Sequence, residues 1–138
     1  MNDQNNSKEK GAADYTGAVA DAFFMANLLF IGIFYLILWG FYFIAYKNAS
    51  QVSKNHIKQA LATATISTLI VIILNVFIIS TVGYASATAL IAAEVYLMLI
   101  VPLFMIVGIM AFTKAINEKD YKFPIIGKLL GVSTPESK

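Results

Sequence analysis

Residues 22–46 read AFFMANLLFIGIFYLILWGFYFIAY, 25 residues from Ala22 to Tyr46 without one charged side chain. An α-helix rises about 1.5 Å per residue and the hydrocarbon core of a bilayer is about 30 Å thick, so this run is long enough to cross. Two more apolar stretches follow, 35 uncharged residues between Lys58 and Glu94 and 19 between Glu94 and Lys114. Gly83 to Ser86 divides the longer one, which makes its two sides an antiparallel hairpin. The expectation is an all-α, integral membrane three-helix bundle with a short C-terminal interfacial helix. Residues 1–20 form a polar N-terminal tail, 21–130 a three-span membrane domain with its interfacial segment, and 131–138 a flexible tail.

Composition sets the same class, because 59% hydrophobic and 13% charged residues in a chain of 138 lie far from the balance of a soluble domain. A net charge of +2 is too small to suggest a nucleic-acid partner, and the lysines lie at membrane ends rather than along one face. Without cysteine there is no disulfide and no thiolate metal site. Met1 to Asp21 is polar and mixed in charge, unlike a signal peptide, so it is expected to be retained.

Trp39, Tyr42 and Tyr46 share one face at the end of the first run and read as interfacial anchors before a helix stop at Lys47 and Asn48. Ser50 and Ser53 are possible N-caps for the second helix. Pro102 removes a backbone donor and predicts a kink near Met98. Beyond a turn at Asn117 to Asp120, Pro124 can open a short helix ended by Gly131, with Ile125, Ile126, Leu129 and Leu130 on one face. With three spans, the loop after the first shares a side with the C-terminal tail, and that side holds eight of the ten lysines. A multi-pass protein of the bacterial inner membrane follows, with its N-terminus outside and its C-terminus cytoplasmic.

Two motifs carry a resemblance. Asn55-His56-Ile57-Lys58-Gln59-Ala60-Leu61 opens the second span, and Ala115 to Pro124, ending Tyr121-Lys122-Phe123-Pro124, follows the third. Together they resemble the Tic-twenty-like family of small bacterial membrane proteins, which pairs a His-x-(Lys/Gln)-Gln-Ala-Leu segment with a Gly-x-x-Tyr-x-Tyr-Pro segment. The resemblance covers Phe24 to Leu130 and departs at Asn117 or Glu118, where glycine is frequent, and at Phe123, where tyrosine is. It implies an oligomeric protein-translocation or solute channel component, as the alternative to a non-enzymatic accessory subunit of a larger membrane complex.

His56 is the only histidine, and no second histidine, cysteine or nearby carboxylate in the sequence completes a catalytic or metal-binding set around it. Its expected role is to pack at the helix start and, with Gln59 one turn along, to dock Tyr121 to Pro124 beneath the bundle. Inside the bilayer Asn27, Asn75 and Glu94 fall at one depth when residues are counted from the span ends, and so are expected to form one polar layer, with Glu94 either part of it or at the headgroups. No cofactor is implied. The partners are the lipid bilayer and other membrane proteins or further copies of the chain.

Overall fold

Gly32 decides the architecture. The computed structural model describes residues 13–131, in which α1 (Thr16–Leu29) stops at Phe30 and α2 (Ile33–Ala45) starts again after Gly32. Gly32 has φ +98°, a left-handed conformation that a side chain resists, and its N–H donates to Asn27 Oδ1 at 3.3 Å. One straight helix from Thr16 to Ala45 would hold its ends about 45 Å apart. Instead the Ser50 N–H donates to Asp14 Oδ2 at 2.7 Å, and the Gly17 N–H to Ser53 Oγ at 3.1 Å. The chain therefore doubles back, and Phe23 meets Phe34 and Phe41 across the fold with ring centroids 6.3 and 5.5 Å apart.

This corrects the expected three-span bundle. A helix of 14 residues rises only about 21 Å, short of a bilayer core, so α1 and α2 form a hairpin with both ends at the same level. Two helices are long and apolar enough to cross a membrane: α3 (Gln51–Thr81), and a continuous rod made of α4 (Ala87–Val95), a π-helical turn (Tyr96–Ile100) and α5 (Val101–Ile116). Counting uncharged residues measures the length of a run and says nothing of its direction.

Orientation changes with it. The Asp14 N–H donates to Glu118 Oε1 at 2.8 Å, so the start of α1, the loop before α3 and the segment after α5 lie together at one end. The described residues just before α1 and just after α5 lie at one end of the molecule, whereas three spans would place them at opposite ends. All seven lysines of the described residues, Lys47 to Lys128, flank that end.

The hairpin is a wedge. α1 makes the most extensive interfaces in the molecule, against α3 on one side and α5 on the other, and α4 is left with almost no interface on α3. Close approach depends on two glycines, since a Cβ on Gly17 would come within 3.0 Å of the His56 Cβ and one on Gly108 within 2.6 Å of Met25 Cγ. Phe24, fully buried, sits at the centre with its ring 6.4 Å from Phe104 and 6.2 Å from Phe123. Each such aromatic buries on the order of 150–250 Å².

Two local expectations are also modified. Pro102 cannot donate to the Met98 carbonyl, and the break there takes the form of the π turn, with the Val101 N–H reaching back five residues to the Tyr96 carbonyl. After Pro124 the last helix, α6 (Ile126–Leu129), is a single turn that starts later than expected. Ile125 has φ +67°, which breaks helical register, so Ile126 alone of the four apolar residues is buried while Ile125 and Leu129 are about four-fifths exposed. Ser50 caps α3 through its Oγ, which accepts the Ser53 N–H at 3.2 Å. The expectations of a retained N-terminal segment, up to residue 12, and of a flexible tail at 131–138, beyond Gly131, concern positions outside the described residues.

The doubled-back hairpin is checked by labelling. The natural chain has no cysteine, so single cysteines at Ala13, Asn48 and Ala85 report without background. In sealed membrane vesicles an impermeant thiol reagent is expected to treat Ala13→Cys and Asn48→Cys alike and Ala85→Cys oppositely. Three spans would instead group Ala13 with Ala85.

Candidate functional site

The gathered end is built on the first two turns of α3. Asp14 organises its approach: Oδ2 accepts the Ser50 N–H, Oδ1 accepts the Thr16 N–H at 3.0 Å, and its carbonyl accepts the Ser53 hydroxyl at 3.2 Å. Burial works to raise the Asp14 pKa, and the donors from Thr16 and Ser50 outweigh it, holding the carboxyl well below the usual carboxylate range.

His56, wholly buried, joins three parts of the chain. Its Nδ1 lies 2.7 Å from Asp21 Oδ2 of α1, and its Nε2 lies 3.0 Å from the Lys119 carbonyl beyond α5. A carbonyl only accepts, so Nε2 carries a hydrogen. One proton is then shared between Nδ1 and Asp21, either as an imidazolium facing a carboxylate or as a neutral ring facing a carboxylic acid. Asp21 is also fully buried, and its Oδ1 has no partner among the described residues.

Gln59 lies one turn along on the same face. Its Oε1 accepts the Phe123 N–H at 2.7 Å and its Nε2 donates to the Tyr121 carbonyl at 2.8 Å, so its amide pairs with the extended segment 121–123 as a strand would. The same Nε2 reaches the Asn55 carbonyl at 3.3 Å, and Asn55 Nδ2 donates to Asp120 Oδ1 at 3.0 Å. Phe123 is buried, its ring 5.5 Å from that of Tyr121, while Pro124 faces outward. Ala60 is fully buried and Leu61 half-buried. The structure thus gathers His56, Gln59, Tyr121 and Phe123 at one place.

Glu118 accounts for the departure at the glycine position. The Lys119 N–H bonds to the Lys114 carbonyl and the Glu118 N–H to that of Ala115, the pattern that ends a helix on one left-handed residue. That residue is Glu118, with φ +52°, where glycine would be unstrained. The side chain that carries this strain is the one that accepts the Asp14 N–H.

The intramembrane polar residues do not form one layer. Asn27 Nδ2 donates to Thr68 Oγ1 at 3.2 Å and its Oδ1 holds the Gly32 turn. Asn75 bonds instead to the Val71 carbonyl and, through Oδ1, to the Tyr84 hydroxyl at 2.6 Å. Glu94 stands exposed on α4. Counting depth along three separate spans misplaced Asn27, which lies at the tip of a hairpin.

Sequence reasoning missed Asp21, Asp14, Ser53 and Glu118 as members of this end. Asp21 was legible only as the charge that closes the apolar run, although it is the partner of the lone histidine. Among the described residues no three His, Asp or Glu side chains come together as a metal-binding group. Two apolar grooves flank the tail, one lined by Leu103, Phe104, Val107 and Ile125, the other by Trp39, Tyr42, Leu61 and Leu130.

Residues 15–130 match the model of MamF/MmsF, the magnetosome magnetite crystal formation protein family. The chain belongs to this family. The match takes in α1, the clasp that His56 and Gln59 make on residues 119–123, and α6, and it overturns the Tic-twenty-like resemblance, which rested on two short motifs at one end of the bundle. Those residues hold a tail against a helix, and such a fastening carries no information about translocation. No curated protein and no solved structure matches the chain.

The clasp makes a graded prediction. Asp21→Asn keeps a donor for a neutral His56 Nδ1 and is expected to be mild, whereas Asp21→Ala leaves the buried ring unpaired and should cost about 3–5 kcal/mol, measured by thermal unfolding in detergent. Gln59→Leu keeps the bulk of the side chain while orphaning the Phe123 N–H and Tyr121 carbonyl, an expected loss of about 1–3 kcal/mol. Equal stability of Asp21→Asn and Asp21→Ala would show that the pair contributes nothing.

Proposed function

We propose that this chain is a non-enzymatic subunit of the magnetosome membrane that helps determine how the magnetite crystal forms, working within a larger membrane assembly. The observation that carries the reading is the family match across residues 15–130. The chemistry of the buried polar groups supports it. His56, Gln59, Ser53 and Asn27 are each engaged in holding one segment of the chain to another. Among the described residues no nucleophile, base and oxyanion-stabilising set is assembled around them.

The lysine-rich end faces the cytoplasm in this proposal, by the excess of positive charge on cytoplasmic segments. The Gly83 to Ser86 connection and the start of α4 then face the interior of the vesicle, where the mineral grows. That side offers hydroxyls from Ser80, Thr81, Tyr84 and Thr88 and, deeper on α4, the carboxylate of Glu94. Two crossing helices are too few to enclose a wide aqueous pore, so the protein acts on the crystal through its surface and its neighbours.

Removing the chain from a magnetosome-forming cell is expected to change crystal size or shape in electron micrographs, and supplying it again to restore them. Unchanged crystals, or a tagged protein found away from magnetosomes, would overturn the proposal. Glu94→Gln keeps the shape of the side chain while removing its charge, and is expected to leave crystals as in the wild type. Loss of crystals with the variant still in the membrane would point to ion movement through Glu94.

A further inference from the structure

The groove between α2 and α3 has the polarity of a phospholipid. It runs along α3 from Lys58 to Ile66, a depth of about 12 Å, and encloses about 420 Å³. Trp39 and Tyr42 form the α2 wall, Leu61 and Ala62 the α3 wall, and Leu130 closes the side of the tail. Lys58 is the only charged group in this lining and stands at the lysine-rich end of the molecule. The Thr65 hydroxyl, also in the lining, donates to the Leu61 carbonyl and meets the Tyr35 hydroxyl, so it offers the groove little polarity.

The cationic end is doubled. Lys58 Nζ lies 5.5 Å and Lys54 Nζ 5.8 Å from the centre of the Tyr46 ring, which brings two ammonium groups to one aromatic ring. Among the described residues the one ion pair is that of His56 with Asp21, so no carboxylate of the described residues neutralises either lysine. Two like charges with no described carboxylate beside them, at the end of an apolar slot, suit an anion with a hydrocarbon tail.

We propose that this groove binds one anionic phospholipid, with an acyl chain against Trp39, Tyr42 and Leu61 and its phosphate between Lys54 and Lys58. The site rests on the chain being embedded in a membrane and not on its part in crystal formation, and the two are tested on different material. A bound lipid would fix the hairpin to α3 and the tail at the same time, since α2, α3 and Leu130 all contribute to the groove.

The test is native mass spectrometry of the full-length protein, purified in detergent, delipidated and titrated with phosphatidylglycerol or phosphatidylcholine. Wild type is expected to retain one phosphatidylglycerol in preference to phosphatidylcholine. A lysine near an anionic surface is worth about 1 kcal/mol, so Lys54→Ala with Lys58→Ala should weaken retention roughly thirtyfold and abolish the preference. Ala62→Trp, which fills the slot, should remove binding of both lipids, and Lys114→Ala, on α5, should change nothing. Equal retention of the two lipids by wild type, or a preference that survives the double lysine substitution, would overturn the assignment. So would full competition by inorganic phosphate, which would make the site a phosphate site alone, or a dimer that Ala62→Trp disrupts while no lipid binds, which would make the groove a contact between copies.

Discussion

One imidazole fastens the lysine-rich end of this protein. His56 belongs to α3, bonds α1 through Asp21 and bonds the segment beyond α5 through the Lys119 carbonyl. Burying either charge alone would cost several kcal/mol, and a single shared proton lets the pair exist in a low dielectric as ions or as neutral partners. The value of such a pair lies less in net stability than in register. Slide α1 by one residue against α3 and the carboxyl no longer faces the ring, the Gly17 N–H leaves Ser53, and Phe24 leaves the space between Phe104 and Phe123.

The α1–α2 hairpin follows from the need of every backbone polar group for a partner. The two helices satisfy theirs internally except at the turn. There Asn27 makes two bonds, its Oδ1 accepting the Gly32 N–H and its Nδ2 reaching Thr68 on α3. Phe30, Ile31 and Ile33 around the turn are all exposed, so the tip of the hairpin presents an apolar surface. The wedge that results keeps α3 and α5 apart at the level of Phe24, and little of the core lies beyond it.

What the sequence makes legible divides along this line. Helical class, the Ser50 cap, the position of the hairpin between α3 and α4 and the break before Pro102 are all written locally, in caps, turn residues and proline. The meeting of Gln59 with residues 121–123 is a contact across more than sixty residues, and it was approachable only because both motifs fall at the same end of the chain's crossing helices. Direction inside the first apolar run is not written in hydropathy. Its signal is Gly32, one residue among 25, five positions from the only strongly polar side chain of the run, Asn27. Neither residue is unusual alone, and only their pairing makes a turn in lipid.

Glu118 shows how a departure from a motif can carry structure. A left-handed residue other than glycine costs about 1–2 kcal/mol, and a helix end of this kind is usually glycine for that reason. Here the carboxylate at that position reaches the backbone of Asp14, which in turn holds Thr16 and Ser50. Replacing Glu118 with glycine would relieve the backbone and at once release the start of α1, so the two effects oppose each other. That opposition explains why a strained side chain can persist where glycine fits: the strain sits on the α5 end, and the contact it maintains holds the hairpin in place at the other end of the chain.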